Sequence, residues 1–175
     1  IELAYNGTTF HGWQIQPNAP SVQGELNQAL TVLLKSGVES TGCGRTDTGV
    51  HASSFIAHFD SSDPIEDTER FVFQLNALLP FSIRIYKVFE VSAEAHSRFD
   101  ASIRSYTYYI SRKPNPFFTD FTWFNSRPVS LESMNQAAKL CIGLHDFSCF
   151  SKSGGQQATT NCTLTECNWG VKDDI

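Results

Sequence analysis

The period of the apolar residues changes repeatedly along the first 91 positions, and that succession restricts the fold more than any single motif does. Ile1 to Tyr5 reads as a short strand, followed by the turn signal Asn6-Gly7. Pro20-Ser21 then opens a helix. Ser21 suits the N-cap, and Val22, Leu26, Ala29, Leu30, Leu33 and Leu34 recur at helical spacing until Gly37 stops them. Val38 to Thr41 predicts a brief strand, and the alternation of Phe55, Ala57 and Phe59 with Ile56 and His58 predicts another. Phe71, Leu75, Leu78 and Leu79 mark a second helix ended by Pro80, and Ile83 to Val91 follows as a strand. This order, βαββαβ over residues 1–95, predicts an α+β domain of the ferredoxin-like (RRM-like) type. In it two helices cover one face of an antiparallel sheet and leave the other face open to a ligand. Many unrelated functions use that architecture, so it names none of them.

The two middle strands are joined by Gly42-Cys43-Gly44-Arg45-Thr46-Asp47-Thr48-Gly49-Val50-His51-Ala52, which has no period at all. Three glycines so close together let the backbone take positive φ and let another segment approach it. Arg45-x-Asp47 can hold an ionised carboxylate beside a fixed positive charge, an arrangement suited to nucleophilic or acid/base work; it serves equally as an internal salt bridge bracing a tight loop. The segment Thr8 to Gln14 before the first helix, with Phe10, His11, Gly12 and Trp13, reads either as a packed surface loop or as a lining for a polar ring.

The net charge of -5 speaks against nucleic acid only until its distribution is considered. Asp60, Asp63, Glu66, Asp67 and Glu69 crowd one window, whereas Arg98, Arg104, Arg112 and Lys113 face only Asp100 between positions 98 and 113. Screening confines surface charges to about 8–10 Å at physiological salt, so a basic stripe on an acidic protein remains compatible with phosphate binding. The five cysteines include no C-x-x-C pair, which argues for reduced thiols over a disulfide framework or a zinc knuckle. His51 and His58 lack a third partner, so structural roles are expected of them and no metal. No apolar run approaches the roughly 20 residues that span a bilayer, and no leader pattern is seen; the expectation is a soluble, cytoplasmic protein.

A polar connector, Glu94 to Ser102, carrying His96, Arg98 and Asp100, spans the start of the second part, residues 96–175. Arg104 to Ser111 reads as a strand, and a Pro-rich loop leads to Phe117, Phe118, Phe121, Trp123 and Phe124. Ser130 caps a third helix with Leu131, Met134, Ala138 and Cys141, ended by Gly143. His145-Asp146-Phe147 opens an irregular stretch, Ser151 to Asn161 reads as mobile, and Cys162 to Trp169 as the last strand. Strand, helix, strand is half of the unit found in the first part. An incomplete second α/β half, truncated at its C-terminal end, is the expectation.

Several of these stretches together carry a family resemblance. Tyr5-Asn6-Gly7-Thr8-x-Phe10-His11-Gly12-Trp13-Gln14, Gly44-Arg45-Thr46-Asp47-x-Gly49-Val50-His51-Ala52, Arg98-Phe99-Asp100-Ala101 with Arg104-Ser105-Tyr106-Thr107-Tyr108, and His145-Asp146-Phe147-x-x-Phe150 resemble, in order, the motifs of the tRNA pseudouridine synthases of the TruA family. The resemblance implies a pseudouridine synthase fold and conversion of uridine to pseudouridine in the anticodon stem-loop of tRNA, without cofactor or metal, by a homodimer. Carried over, it makes Asp47 the catalytic aspartate, with Arg45 orienting it. Tyr106 becomes the aromatic that packs on the uracil, and Arg104, Arg98, Gln14 and His51 join it in binding substrate. The family also continues beyond the position of Ile175 with an arginine-containing strand and helix that return to the active site.

The chemistry of the residues suits that task. Isomerisation must break the N1–C1′ bond, turn the uracil and rejoin it through C5, which calls for one ionised carboxylate and a surface that holds the loose base. Asp47 can supply the first, whether by attacking C1′ or the base or by removing a sugar proton. Tyr106 can supply the second, since stacking on an aromatic is worth about 1–3 kcal/mol per base; its other reading is a core aromatic on a sheet face. Arg45 could instead occupy the space the flipped base leaves. Two further readings remain at this level. One is a non-catalytic RNA-binding module using the open sheet face. The other is a glycosidase, which would want a second carboxylate about 5–10 Å from the first where the loop holds only one.

Overall fold

The computed structural model describes residues 1–151 and 159–172, so the expected mobile stretch lies mostly outside the described residues. Two compact units divide the chain, Ile1–Tyr106 and Thr107–Ile175. The connector and Tyr106 fall in the first of them.

In the first unit the elements run β1 (Glu2–Tyr5), α1 (Val22–Leu34), β2 (Thr41–Gly42), β3 (Ala52–His58), α2 (Thr68–Leu78) and β4 (Ile83–Lys87), with the strands ordered β2-β3-β1-β4 and antiparallel throughout. Side chains alternate across the strands. Leu3, Tyr5, Phe55, Ala57, Ile83 and Ile85 are buried, while Ile56, Arg84 and Tyr86 on the other face are exposed. The helices close the buried face with Val22, Leu26, Ala29 and Leu30 from α1 and Phe71 and Leu75 from α2. Ser21 Oγ accepts from Gly24 N–H and Asp67 Oδ1 from Arg70 N–H, so both helices start where a side-chain acceptor meets an otherwise unpaired amide.

Departures from the expected boundaries have local causes. α1 ends at Leu34, with Lys35 rather than Gly37 in the left-handed conformation at φ 55. β2 is shorter than expected because side chains of α1 take the polar backbone groups that a strand would have used. Val38 N–H donates to Thr31 Oγ1 at 3.3 Å, Ser40 N–H to Asn27 Oδ1 at 2.9 Å, and Gln23 Nε2 to Ser40 O at 2.6 Å. β4 stops at Lys87, after Glu2, the first residue of β1, has found its partner there.

The second unit differs more from its expected form. Of Arg104 to Ser111 only β5 (Ile110–Ser111) is a strand, paired in parallel with β6 (Trp123–Phe124). Alternation of Tyr106, Tyr108 and Ile110 does not suffice, because ladder hydrogen bonds need a neighbour; the pairing with β6 reaches back only to Tyr109 O, which accepts from Trp123 N–H at 2.8 Å, and residues 104–108 lie in no strand. α3 (Leu131–Leu140) is capped by Ser130 as its sequence implies. His145 and Asp146 are not irregular. They lie in β7 (Gly143–Asp146), antiparallel to β8 (Asn161–Leu164), which is shorter than the expected last strand. Downstream of β8, Trp169 is held by Asn135 of α3 through two bonds of 2.8 and 3.0 Å instead of a ladder. All five cysteines are free thiols, and among the described residues no helix is long and apolar enough to cross a membrane.

Candidate active site

The loop between β2 and β3 is fixed by its backbone. Trp13 N–H donates to Thr46 O at 3.2 Å, Gly49 N–H to Phe10 O at 3.2 Å, and Gly7 N–H to His51 Nδ1 at 3.1 Å. Within the loop Val50 N–H donates to Asp47 O at 3.2 Å, and Cys43 N–H reaches Ile56 O at 2.7 Å, extending the ladder one residue past β2. The opening motif therefore lies directly on the loop, and glycines make that possible. A Cβ on Gly12, whose φ is +88, would stand 2.1 Å from Thr46 O, and one on Gly42 would stand 2.6 Å from the Trp13 ring and 2.7 Å from Phe55. Those two rings pack at 4.4 Å over Gly42, and Tyr5 meets Phe55 edge-on at 5.6 Å. Beneath the loop is thus an aromatic floor, while Arg45 and Asp47 are exposed above it.

Tyr5 joins floor to loop. Its phenol is hydrogen-bonded to Thr46 Oγ1 at 2.9 Å, one residue before Asp47. Burial pushes the phenol up to about 12, against the pull of the Thr46 bond, and Cys43 and Tyr106 add to the rise. Tyr5 is therefore neutral at physiological pH, and the Tyr106 phenol lies within electrostatic reach of it. Tyr106 itself is 69% exposed, so it is not the core aromatic of the alternative reading.

What keeps Tyr106 near the loop is the connector before it. Ser97 Oγ donates to Thr41 O at 2.7 Å, and Ser97 N–H donates to His58 Nδ1 at 3.1 Å. His96 packs its ring between His58 at 4.7 Å and Phe99 at 4.2 Å. Arg104 completes the attachment. Its Nε and Nη2 donate to Cys43 O at 3.1 and 2.7 Å, and Nη2 also donates to Arg98 O at 2.7 Å. Because Ser97 N–H can only donate, His58 Nδ1 must carry a lone pair. Burial, with His96 beside it, accordingly holds His58 below its ordinary value against the opposing pull of Asp60 and Asp100.

Each residue singled out in the sequence thus has a definite place. Arg45, Asp47 and His51 share the loop, with His51 Nδ1 accepting from Gly7. Gln14 is exposed beside buried Trp13, whose amide holds Thr46. Arg98 reaches the site by its carbonyl, which accepts from Arg104. Sequence reasoning missed Ser97 and gave Tyr5 no role beyond its place in the opening motif, since a strand tyrosine and a connector serine carry no signal until their partners are known; His58, of which a structural role was expected, holds Ser97.

No family model matches the chain. Curated relatives do. The chain is 43% identical over 175 residues to tRNA pseudouridine synthase A of Parabacteroides distasonis, covering 100% of this chain and 69% of the relative. The chain belongs to the tRNA pseudouridine synthase A family. Likewise it is 42% identical over 174 residues to the family member of Bacteroides fragilis, covering 99% of this chain and 69% of that one. With the member of Porphyromonas gingivalis it shares 43% over 170 residues, 97% of this chain and 68% of that one. The family likeness runs the length of both units and includes the loop and the opening motif that lies on it.

Proposed function

We propose that the protein isomerises uridine to pseudouridine in the anticodon stem-loop region of tRNA, as a cytoplasmic homodimer and without a cofactor or metal. In this reading the first unit is a ferredoxin-like βαββαβ domain whose middle strands present the catalytic loop. Asp47 is the carboxylate that acts at the glycosidic bond, as nucleophile or base, and Arg45 orients it. Tyr106 packs on the uracil while it is detached and turns from N1 to C5. Gln14 and His51 line the approach, and Arg98 meets the RNA backbone. Arg104 is grouped with the substrate-binding residues by its motif.

One observation carries the reading: Asp47 is exposed on a loop whose backbone is pinned on both sides of it, by Trp13 to Thr46 and by Phe10 to Gly49. A loop that existed only to bury an ion pair would have no need to fix its backbone and leave the carboxylate outside. Fixed placement of a reacting group is what converts binding into rate.

The test is Asp47→Asn in the natural full-length protein with unmodified tRNA. Conversion, read by nucleoside analysis, is expected to fall at least about a thousand-fold, equivalent to about 4 kcal/mol of transition-state stabilisation. The Kd for tRNA is expected to change less than about two-fold, because phosphate contacts dominate affinity. Pseudouridine formed at the normal rate by this variant would overturn the assignment. Wild-type protein that binds tRNA and leaves it unchanged would point instead to a binding module on the open sheet face.

A further inference from the structure

The connector from His96 to Tyr106 contains no regular element, yet near its end Arg104 is hydrogen-bonded to Cys43 O at the entrance of the Asp47 loop. Two side chains stitch it there, each to a backbone carbonyl on the segment that leads into the loop: Ser97 to Thr41 O and Arg104 to Cys43 O, either side of Gly42. Arg104 does more than Ser97. Two of its three guanidinium nitrogens are directed at protein carbonyls, one carbonyl on the loop and one, Arg98 O, on the connector itself. Gly44 lies against this fork, a Cβ there standing 3.7 Å from Nε. An arginine that binds a phosphate presents its fork outward; this one closes its fork on two segments of its own chain.

We infer that Arg104 is a positioning residue, a clamp that fixes Tyr106 against the Asp47 loop, and not a contact to the RNA. This rests on the proposed synthase activity for its consequence in rate but not for its geometry. Arg104 precedes Tyr106 by two residues, and Cys43 precedes Asp47 by four. Locking the first to the second sets the distance between the stacking ring and the carboxylate. Without the clamp the connector remains tied at His96 and Ser97, the latter nine residues before Tyr106, and its end can swing.

The experiment compares Arg104→Ala and Arg104→Lys with wild type in the natural full-length protein. Lysine keeps the charge but offers a compact ammonium in place of a fork that spans two carbonyls. A clamp predicts that both variants lose about ten- to a hundred-fold in the single-turnover rate at saturating tRNA. Their Kd should stay within about two-fold of wild type, with an unchanged slope of log K against log salt. It also predicts, in the free protein, faster hydrogen exchange at the Cys43 amide, since the loop entrance loses its outer brace. A phosphate contact predicts the reverse. Arg104→Ala would weaken binding and reduce the salt slope by about one, Arg104→Lys would restore both, and loop exchange would not move. That result overturns the inference, as would a wild-type rate in either folded variant. If Arg104→Ala does not fold, Arg104→Lys alone decides between rate loss and binding loss. If the wild-type protein makes no pseudouridine, the synthase reading falls and the exchange comparison still judges the clamp.

Discussion

The catalytic loop and the connector are both polar, both lack regular structure, and both carry residues of the site, yet they are held in opposite ways. Residues 43–51 are held mainly through their backbone: Thr46 O accepts from Trp13 N–H, Gly49 N–H donates to Phe10 O, and glycines let the two segments touch. Residues 96–106 are held through side-chain tips, from Ser97, His58 and Arg104, to carbonyls and one amide. Backbone anchoring is indifferent to most side chains and intolerant of any Cβ at a contact. Side-chain anchoring tolerates the backbone and depends on a few functional groups. The loop that carries Asp47 is therefore the stiffer of the two, and the segment that carries Tyr106 is the adjustable one.

That contrast can be broken by mutation, and the largest effect belongs to the loop. Gly12→Ala places a Cβ 2.1 Å from Thr46 O at φ +88. Strain and displacement together should destabilise the protein by about 2–4 kcal/mol in urea unfolding, with conversion lost. A fall under about 0.5 kcal/mol would show that the opening motif does not grip the loop. Ser97→Ala, the corresponding test of the connector, removes a hydroxyl that donates to Thr41 O at 2.7 Å and lies 2.9 Å from His58 Nδ1. It should cost only about 1 kcal/mol of stability, and unfolding should remain cooperative.

The smallest effect is a dependence on pH. His58 is held below its ordinary value first by burial and then by His96, so the unfolded chain binds its proton more readily than the folded one. Stability from this group is fully present above about 6.5, the unfolded value, and is lost as pH falls from there through the lower folded value. Protonated Nδ1 would also face Ser97 N–H donor to donor. The Tm of wild type should therefore drop more between pH 7.5 and 5.5 than that of His58→Gln. Equal slopes would mean that the histidine does not sense the connector.

How much of this was readable from residues alone follows the same division. The order of the first six elements, the Ser21 N-cap and most of the buried face of each helix were readable, because period and capping are local; the Asp67 cap of α2 was not read, and Leu78, expected on its apolar face, is exposed. β2 was overestimated since nothing in Val38-Glu39-Ser40 announces that Thr31 and Asn27 will take its amides. The strand expected from Arg104 failed for a similar reason: alternating tyrosines record a preference, and pairing needs a neighbour that the pattern does not specify. Within the site, Arg45, Asp47 and Tyr106 were legible as motif residues. Their mutual placement was not, for it depends on Tyr5, Ser97 and the fork of Arg104, whose partners lie 41, 56 and 61 positions away.

Those separations also set an order of assembly. The bond from Tyr5 to Thr46 and the one from Gly7 to His51 span 41 and 44 positions, with the whole of α1 inside the enclosed segment. Closing a segment of that length costs chain entropy that no local contact repays, so the opening motif can settle only after α1 has shortened the gap and β3 has paired with β1. On a ribosome the opening motif would then wait, unsatisfied, until the segment through His51 and β3 has followed it. During that interval Trp13 and Phe55, later packed over Gly42, are separate and wet, and the nascent chain carries exposed aromatic surface on both sides of the segment that holds Asp47.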